Sequence, residues 1–367
     1  MPKFSGQFDL TRTPEPRRLE HVLLTNTLLH SAVTWLGWTA LTMMVWPRFV
    51  APFRLQVREL TLTLPKLHPE FAGYRIVFLS DLHVGRTHQA YLRRTVEAVA
   101  QLKPDLVLLG GDLIDYHPRS LPLLAELLPL LGQVGASDGV LAIFGNHDYH
   151  EYSWRHIGPR SAHRAVQKRL VRLLEESPVR LLRNEMVRLT RAAGKNPGNR
   201  GGLQIVGMDE LWCGGFNPRR AFAAVDAAEP VICLQHNPDG FEHLAEYPWD
   251  AMLCGHSHGG QVDVPIVGPI YVPMIHRHYL RGFLGMARPG QRQVPRPPAT
   301  ERQAGRSGRE GERSVGEAGG KAGGVAGGVA GRPLFVSTGV GYSKPLRFRV
   351  PPEVVLFTLR PASAGVV

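Results

Sequence analysis

The chain has 367 residues, 43% of them hydrophobic, with 43 Lys and Arg against 31 Asp and Glu for a net charge of +12. That composition excludes collagen, a coiled coil and global disorder, and three cysteines (Cys213, Cys233, Cys254) without a C-x-x-C pair exclude a disulfide framework and a zinc ribbon. The positive balance suggests an anionic partner, yet between Arg288 and Arg332 nine basic residues face only four glutamates, so much of the excess sits in one low-complexity stretch and the remainder is mildly basic.

In chain order, residues 1–21 read as a tail. Residues 22–46, VLLTNTLLHSAVTWLGWTALTMMVW, contain no Asp, Glu, Lys or Arg and are long enough for a helix to cross about 30 Å of hydrocarbon. They read as a transmembrane anchor. A cleaved signal peptide is the alternative, against which stand the length of the run and the lack of a small-x-small site. Flanking Lys and Arg occur on both sides, so charge assigns no orientation. RLQVRELTLTLP (Arg54–Pro65) alternates like a half-buried strand, and YRIVFLSDLHVG is a buried β run ending in a polar loop. A helix over Tyr91–Leu102, the run PDLVLLGGDLID, a helix over Leu121–Leu131 and the run VLAIFGNHD follow, the spacing of βαβ units and a mostly parallel sheet. A second series comprises LQIVGMDE, a helix near Arg219–Ala228, PVICLQHNP, a helix near Asp239–Tyr247 and DAMLCGHSHGG, closed by LFVSTG and EVVLFTLR. Residues 53–286 and 334–367 are expected to form one domain, with 287–333 a flexible Gly/Ala/Arg-rich insertion of too little apolar mass to fold. No aromatic residue interrupts the insertion to stack on bases, so specific nucleic-acid binding is not expected there.

Polar residues close each strand, and in α/β sheets such residues converge at the carboxyl edge. They are Asp81 and His83, Asp112, Asn146 with His147 and Asp148, His236, and His256 with His258. These oxygen and imidazole donors suit Mn, Fe, Zn or Mg. Seven of them exceed the needs of one ion and fit two divalent ions sharing a carboxylate.

The blocks D-x-H, G-D, G-N-H-D, a lone His and G-H-x-H, in that order from Asp81 to His258, resemble the calcineurin-like metallophosphoesterases. LSDLHVG, HNPDGF, CGHSHGGQV and STGVG with LRFRVPPEVVLFTL are similar to the membrane-anchored bacterial branch of that superfamily. The resemblance implies an α/β fold with a two-layered β-sandwich core flanked by helices. It also implies that Asp81, His83 and His258 hold one metal, that Asn146, His236 and His256 hold the other, and that Asp112 bridges. A hydroxide between the ions is then expected to attack phosphorus, with His147 stabilising charge or protonating the leaving oxygen. Asp148 is expected to orient His147. His276, His278 and Arg281 are candidates for binding a substrate phosphate, and Trp212 and Cys213 for lining a pocket.

The expected activity is hydrolysis of a phosphomonoester, phosphodiester or pyrophosphate at a membrane. A lipid-linked substrate is favoured, since the anchored branch includes lipid A pathway enzymes acting on UDP-2,3-diacylglucosamine. A general or cell-wall phosphatase is the alternative. A metal-binding scaffold without catalysis would be signalled by loss of His147 or Asp112, and both are present.

Overall fold

The structure, a computed structural model, describes residues 16–115, 117, 119–149, 160–192, 200–284, 332–342 and 344–362. The apolar N-terminal run forms α1 (Pro16–Val45), prolonged by helical turns over Trp46–Val50 and Ala51–Phe53. By length and composition, Thr27–Phe53 suffices to cross a membrane, with mean hydropathy 1.3 and an apolar window that is not buried against the domain.

The first half of the domain contains β1 (Gln56–Leu64), β2 (Arg75–Leu79), α2 (Gln89–Gln101), β3 (Leu106–Leu109), α3 (Ser120–Gly132), β4 (Val140–Ala142), α4 (Arg160–Glu175) and β5 (Val179–Leu181). The second half contains β6 (Glu185–Ala192), β7 (Arg200–Gly207), α5 (Pro218–Ala221), β8 (Val231–Leu234), α6 (Gly240–His243) and β9 (Ala251–Cys254). The hairpin β10 (Asp263–Val264) and β11 (Gly268–Pro269) follows, then β12 (Gly282–Leu284), β13 (Leu334–Val336) and β14 (Glu353–Pro361).

Two six-stranded sheets result, in the orders β1-β14-β2-β3-β4-β5 and β12-β13-β9-β8-β7-β6. Within them β2 to β5 run parallel, as do β7, β8, β9 and β13. Strands β2, β3, β8 and β9 are covered on both faces, which is why they read as unbroken apolar runs. The sheets pack face to face through one cluster that includes Leu62, Phe78, Ile143, Ile205, Phe335 and Phe357. Phe335 lies at its centre, its ring 5.2 Å from those of both Phe283 and Phe357. On the outside of the first sheet, α2 buries Leu92, Val96 and Val99 at helical spacing beside Leu124 and Leu127 of α3 and Leu170 of α4. A third cluster around Trp249, Phe222 and Leu244 covers the second sheet. The fold is the expected sandwich between helices.

The two helices expected in the second half are short. α5 stops at Ala221 because the buried Gln204 captures the chain further on: its amide donates to Asp226 O at 2.7 Å and accepts from Asp226 N–H at 2.8 Å, so the backbone turns toward β7. α6 covers only Gly240–His243. α4, β5 and β6 were not anticipated from the sequence. The 287–333 insertion falls almost wholly in 285–331, outside the described residues.

Candidate metal centre

The parallel strands of both sheets end at one edge. Asp81 and His83 follow β2, Asp112 follows β3, Asn146 and His147 follow β4, His236 follows β8, and His256 and His258 follow β9. Five of these side chains sit on left-handed backbone, with φ 58° at Asp81, 45° at His83, 52° at Asp112, 68° at His256 and 49° at His258. Each such residue carries strain of about 1–3 kcal/mol that only its surroundings can hold. Here the loops are tied to one another. Asp81 N–H donates to Gly111 O at 2.9 Å, His83 N–H to Asp112 O at 3.0 Å and His256 N–H to Asp81 Oδ1 at 3.1 Å. The glycine of the G-N-H block has a steric reason, since a Cβ on Gly145 would strike Asp112 Oδ1 and His236 Nε2.

The donors gather in three overlapping groups: Asp81 with His83 and His258, His83 with Asp112 and His147, and Asp112 with His236 and His256. Several of these donor atoms face one another at short range. His236 Nδ1 lies 2.7 Å from Gly110 O, so Nδ1 carries the proton. Its Nε2 makes no hydrogen bond among the described residues, yet faces Asp112 Oδ2 at 3.2 Å. His256 Nε2 lies 3.1 Å from Pro273 O, which leaves Nδ1 as an acceptor 2.9 Å from Asn146 Oδ1. His83 Nε2 and His258 Nε2 stand 2.9 Å apart, the latter 3.5 Å from Asp81 Oδ1. Nitrogen and oxygen donors this close together, with backbone carbonyls fixing the outer nitrogens of His236 and His256, are the usual setting of metal-binding imidazoles. The residues fit divalent metal ions.

The protein's own charges give the same result. Burial pushes the His83 imidazole down to about 3 and His256 to about 4, and holds His258 well below its ordinary value; all three are neutral at pH 7, as a metal-binding imidazole must be. Asp112 resists the upward push of burial because His236 and His147 stabilise its anion, and it lies well below the carboxylate range. His236, disfavoured as a cation by burial, is lifted by Asp112 to about 10. Burial raises Asp81 to about 6.

His147 lines the cavity above these donors, and its N–H donates to Asp112 Oδ1 at 2.9 Å. Asp148, expected to orient His147, directs its described hydrogen bonds elsewhere. Asp148 accepts from Ile114 N–H at 3.0 Å and Gly145 N–H at 2.8 Å: its carboxylate braces the two loops. Asp115, which the sequence did not single out, takes the place beside the ring, with Oδ1 3.5 Å from His147 Nδ1 and Oδ2 3.7 Å from His83 Nδ1. Burial lowers the His147 pKa, but Asp112 and Asp115 outweigh it and the net shift is upward.

The cavity has a volume of about 600 Å³. Asp112, Asn146, His147, His256 and His258 form its polar end; Val262, Ile270, Tyr271, Pro273 and Leu346 form an apolar wall, with Lys344 beside it. His276, His278 and Arg281 are not among its described lining residues. His276 Nδ1 and N–H contact Asp239 Oδ1 at 3.0 and 2.9 Å, Arg281 Nη2 donates to Asp263 Oδ2 at 2.6 Å, and the His278 ring packs 4.0 Å from that of Tyr279. His276 and Arg281 are thus engaged by Asp239 and Asp263, and Lys344 is the one Lys or Arg among the described lining residues of the cavity. Trp212 stands edge-on to His256, ring centres 4.8 Å apart, and its backbone N–H donates to Glu210 Oε2 at 2.5 Å. Burial lifts the Glu210 carboxyl to about 7, and Cys213 Sγ contacts that same carboxylate at 3.3 Å. Arg347 is fully buried, donates to Gly339 O at 3.1 Å and reaches within 3.5 Å of His258 Nδ1. A larger depression of about 800 Å³, lined by Arg183, Asn184 and Arg220, contains none of the strand-end donors.

Comparison with known proteins agrees with this chemistry. The chain is 29% identical over 277 residues to the UDP-2,3-diacylglucosamine pyrophosphatase LpxG of Chlamydia trachomatis, covering 66% of this chain and 78% of that protein. It is 32% identical over 214 residues to the phosphodiesterase YaeI of Escherichia coli, covering 58% and 70%. Over 315 residues it is 26% identical to the uncharacterized metallophosphoesterase YkuE of Bacillus subtilis, covering 85% and 88%. Residues 74–260 match the calcineurin-like phosphoesterase family model, a stretch that takes in half of the chain and every donor from Asp81 to His258. The chain therefore belongs to the calcineurin-like phosphoesterase family and is a metal-dependent phosphoester hydrolase.

Proposed function

We propose that the protein is a membrane-anchored hydrolase of a lipid-linked phosphoester, of the class of UDP-2,3-diacylglucosamine, with α1 as its anchor. The observation that carries this reading is the division of the cavity into a polar, donor-lined end and an apolar wall of Val262, Ile270, Tyr271, Pro273 and Leu346. A phosphoryl group attached to an acyl-bearing molecule matches both halves, and an apolar wall gains roughly 25 cal/mol for each Å² of hydrocarbon it covers. The UDP-2,3-diacylglucosamine pyrophosphatase activity for which the LpxG relative is named and the exposed apolar helix support the same substrate class.

In this reading Asp81, His83 and His258 hold one divalent ion, Asn146, His236 and His256 hold the other, and Asp112 serves both. When bound, the ions supply Lewis-acid polarisation of the phosphoryl group and make water nucleophilic near neutral pH. The chain does the rest. Gly110 O and Pro273 O fix the tautomers of His236 and His256, so that the inner nitrogens face the polar end. His147, whose protonated form Asp112 and Asp115 favour, donates its proton to the leaving oxygen. Lys344 pairs with substrate charge at the rim, and the apolar wall holds the lipid portion while limiting the access of bulk water.

The experiment is hydrolysis by full-length protein in detergent micelles with Mn²⁺ added, comparing UDP-2,3-diacylglucosamine with bis(p-nitrophenyl) phosphate. The reading expects kcat/KM at least tenfold higher for the lipid-linked pyrophosphate. Equal or lower efficiency on it would overturn the substrate assignment while leaving the hydrolase chemistry in place.

A further inference from the structure

One rim of the cavity carries apolar side chains that hydrolysis does not require. The β10–β11 turn presents Ile266 fully exposed and Val267 74% exposed, and Tyr271 and Ile275 follow at 68% and 76%. A cluster of this kind on one water-facing segment marks a contact surface.

Its connection to α1 identifies the partner. On one side of residues 345–348, Arg347 N–H donates to Pro47 O at 2.8 Å and Arg48 Nη1 to Pro345 O at 3.1 Å. On the other side, Asp263 N–H donates to Phe348 O at 3.0 Å and Phe348 N–H to Gln261 O at 2.9 Å. One short segment thus joins the end of the apolar helix to the root of the hairpin. The four residue-to-residue steps from Val262 to Ile266 reach at most about 14 Å. A spanning helix leaves its terminus at the headgroups, where Trp and Tyr concentrate, and Trp46 and Tyr271 stand at the two ends of this strip. Arg48, which bonds Pro345, and Lys344 and Arg349, which flank residues 345–348 in the chain, are exposed and match anionic headgroups.

We propose that the β10–β11 hairpin, with Tyr271, Ile275 and Leu346, is a second membrane contact that seats the cavity mouth on the bilayer entered by α1. It rests on the reading of α1 as an anchor. The hairpin inserts its apolar tip into the boundary between headgroups and acyl chains, about 5–10 Å deep, so that a lipid substrate passes from bilayer to cavity without crossing water.

The test places a nitroxide on Ile266→Cys, Leu36→Cys or Lys168→Cys in full-length protein carrying Cys213→Ser, the other two cysteines being buried. The protein is reconstituted in phosphatidylcholine vesicles containing phosphatidylglycerol. Collision rates with oxygen, which concentrates in the bilayer, and with a water-soluble nickel chelate are compared. The expected result is oxygen-dominated relaxation at positions 36 and 266 and nickel-dominated relaxation at 168, on the exposed face of α4. Nickel-dominated relaxation at 266 overturns the proposal, as does protection from both reagents, the signature of packing against protein such as a second copy. Loss of the oxygen signal at 36 identifies failure of the anchor reading instead. A functional arm uses Ile266→Asp with Val267→Asp, neither of which lines the cavity: turnover of vesicle-borne substrate falls severalfold while that of a soluble phosphodiester is retained. Equal turnover of vesicle-borne substrate by this variant and wild type contradicts the proposal.

Discussion

The carboxylate of Asp115 reaches within 3.5 Å of His147 Nδ1, while its second oxygen contacts Arg86 Nε at 3.3 Å. Asp115 is nearly fully buried, so its charge acts on the ring with little screening, and the Arg86 contact fixes its orientation.

Substituting Asp115→Asn should therefore act through His147. With one of its two stabilising anions gone, the imidazolium has a lower pKa, and the fraction able to donate a proton at neutral pH falls. The basic limb of the kcat–pH profile should move to lower pH, with kcat at pH 7.5 down about tenfold, a part of the roughly 10²–10⁴ attributable to a general acid. A basic limb unmoved from wild type would show that Asp115 does not govern the proton donor.

Gly145→Ala tests how closely the loops must approach. The new methyl group meets Asp112 Oδ1 and His236 Nε2, two atoms that face one another across the donor cluster. Metal affinity, read by competition with a fluorescent chelator, should weaken about 10- to 100-fold, the usual cost of disturbing the support of a metal ligand. Unchanged affinity would mean that the cluster has room that the geometry denies.

His236 supplies a pH dependence with a definite sign. Its pKa is raised to about 10, so its contribution to the stability of the chelator-treated protein is complete below about pH 6.5 and is lost as pH rises through about 10. A metal ion on Nε2 must displace that proton. Affinity should rise with pH across this window, and calorimetric titrations in buffers of different ionisation enthalpy should show release of about one proton per chain at pH 7.5. No proton release at that pH would contradict the assignment of His236 as a ligand.

The sequence exposed the donor cluster because parallel strands bring their carboxyl ends to one edge whatever the loops do. Asp81, His83, Asp112, Asn146, His236, His256 and His258 are each within a few residues of a buried apolar run, and the runs were legible. Partnerships across loops were not. Asp148 is next to His147 in the chain, but the short helical turn at His147–Tyr149 directs its carboxylate to Ile114 and Gly145. Asp115 reaches the ring because Ile114 bridges to Val84, a pairing without a local signal; its one clue is a second carboxylate three residues after Asp112. His276 and Arg281 were visible as charges, while the aspartates that match them, Asp239 and Asp263, lie 37 and 18 residues away in sequence. The brevity of α5 likewise depends on Gln204, which lies 22 residues before Asp226.

The most direct test of the two-ion centre is metal content by plasma mass spectrometry on full-length protein purified with Mn²⁺ and desalted. Two ions per chain are expected for wild type and for His147→Ala, which should retain both while losing most of its hydrolysis. Asp112→Asn should hold one ion or fewer and be inactive, because the amide removes the negative charge that both sites share. Two ions per chain in Asp112→Asn, or a single ion in wild type with full activity, would contradict the account.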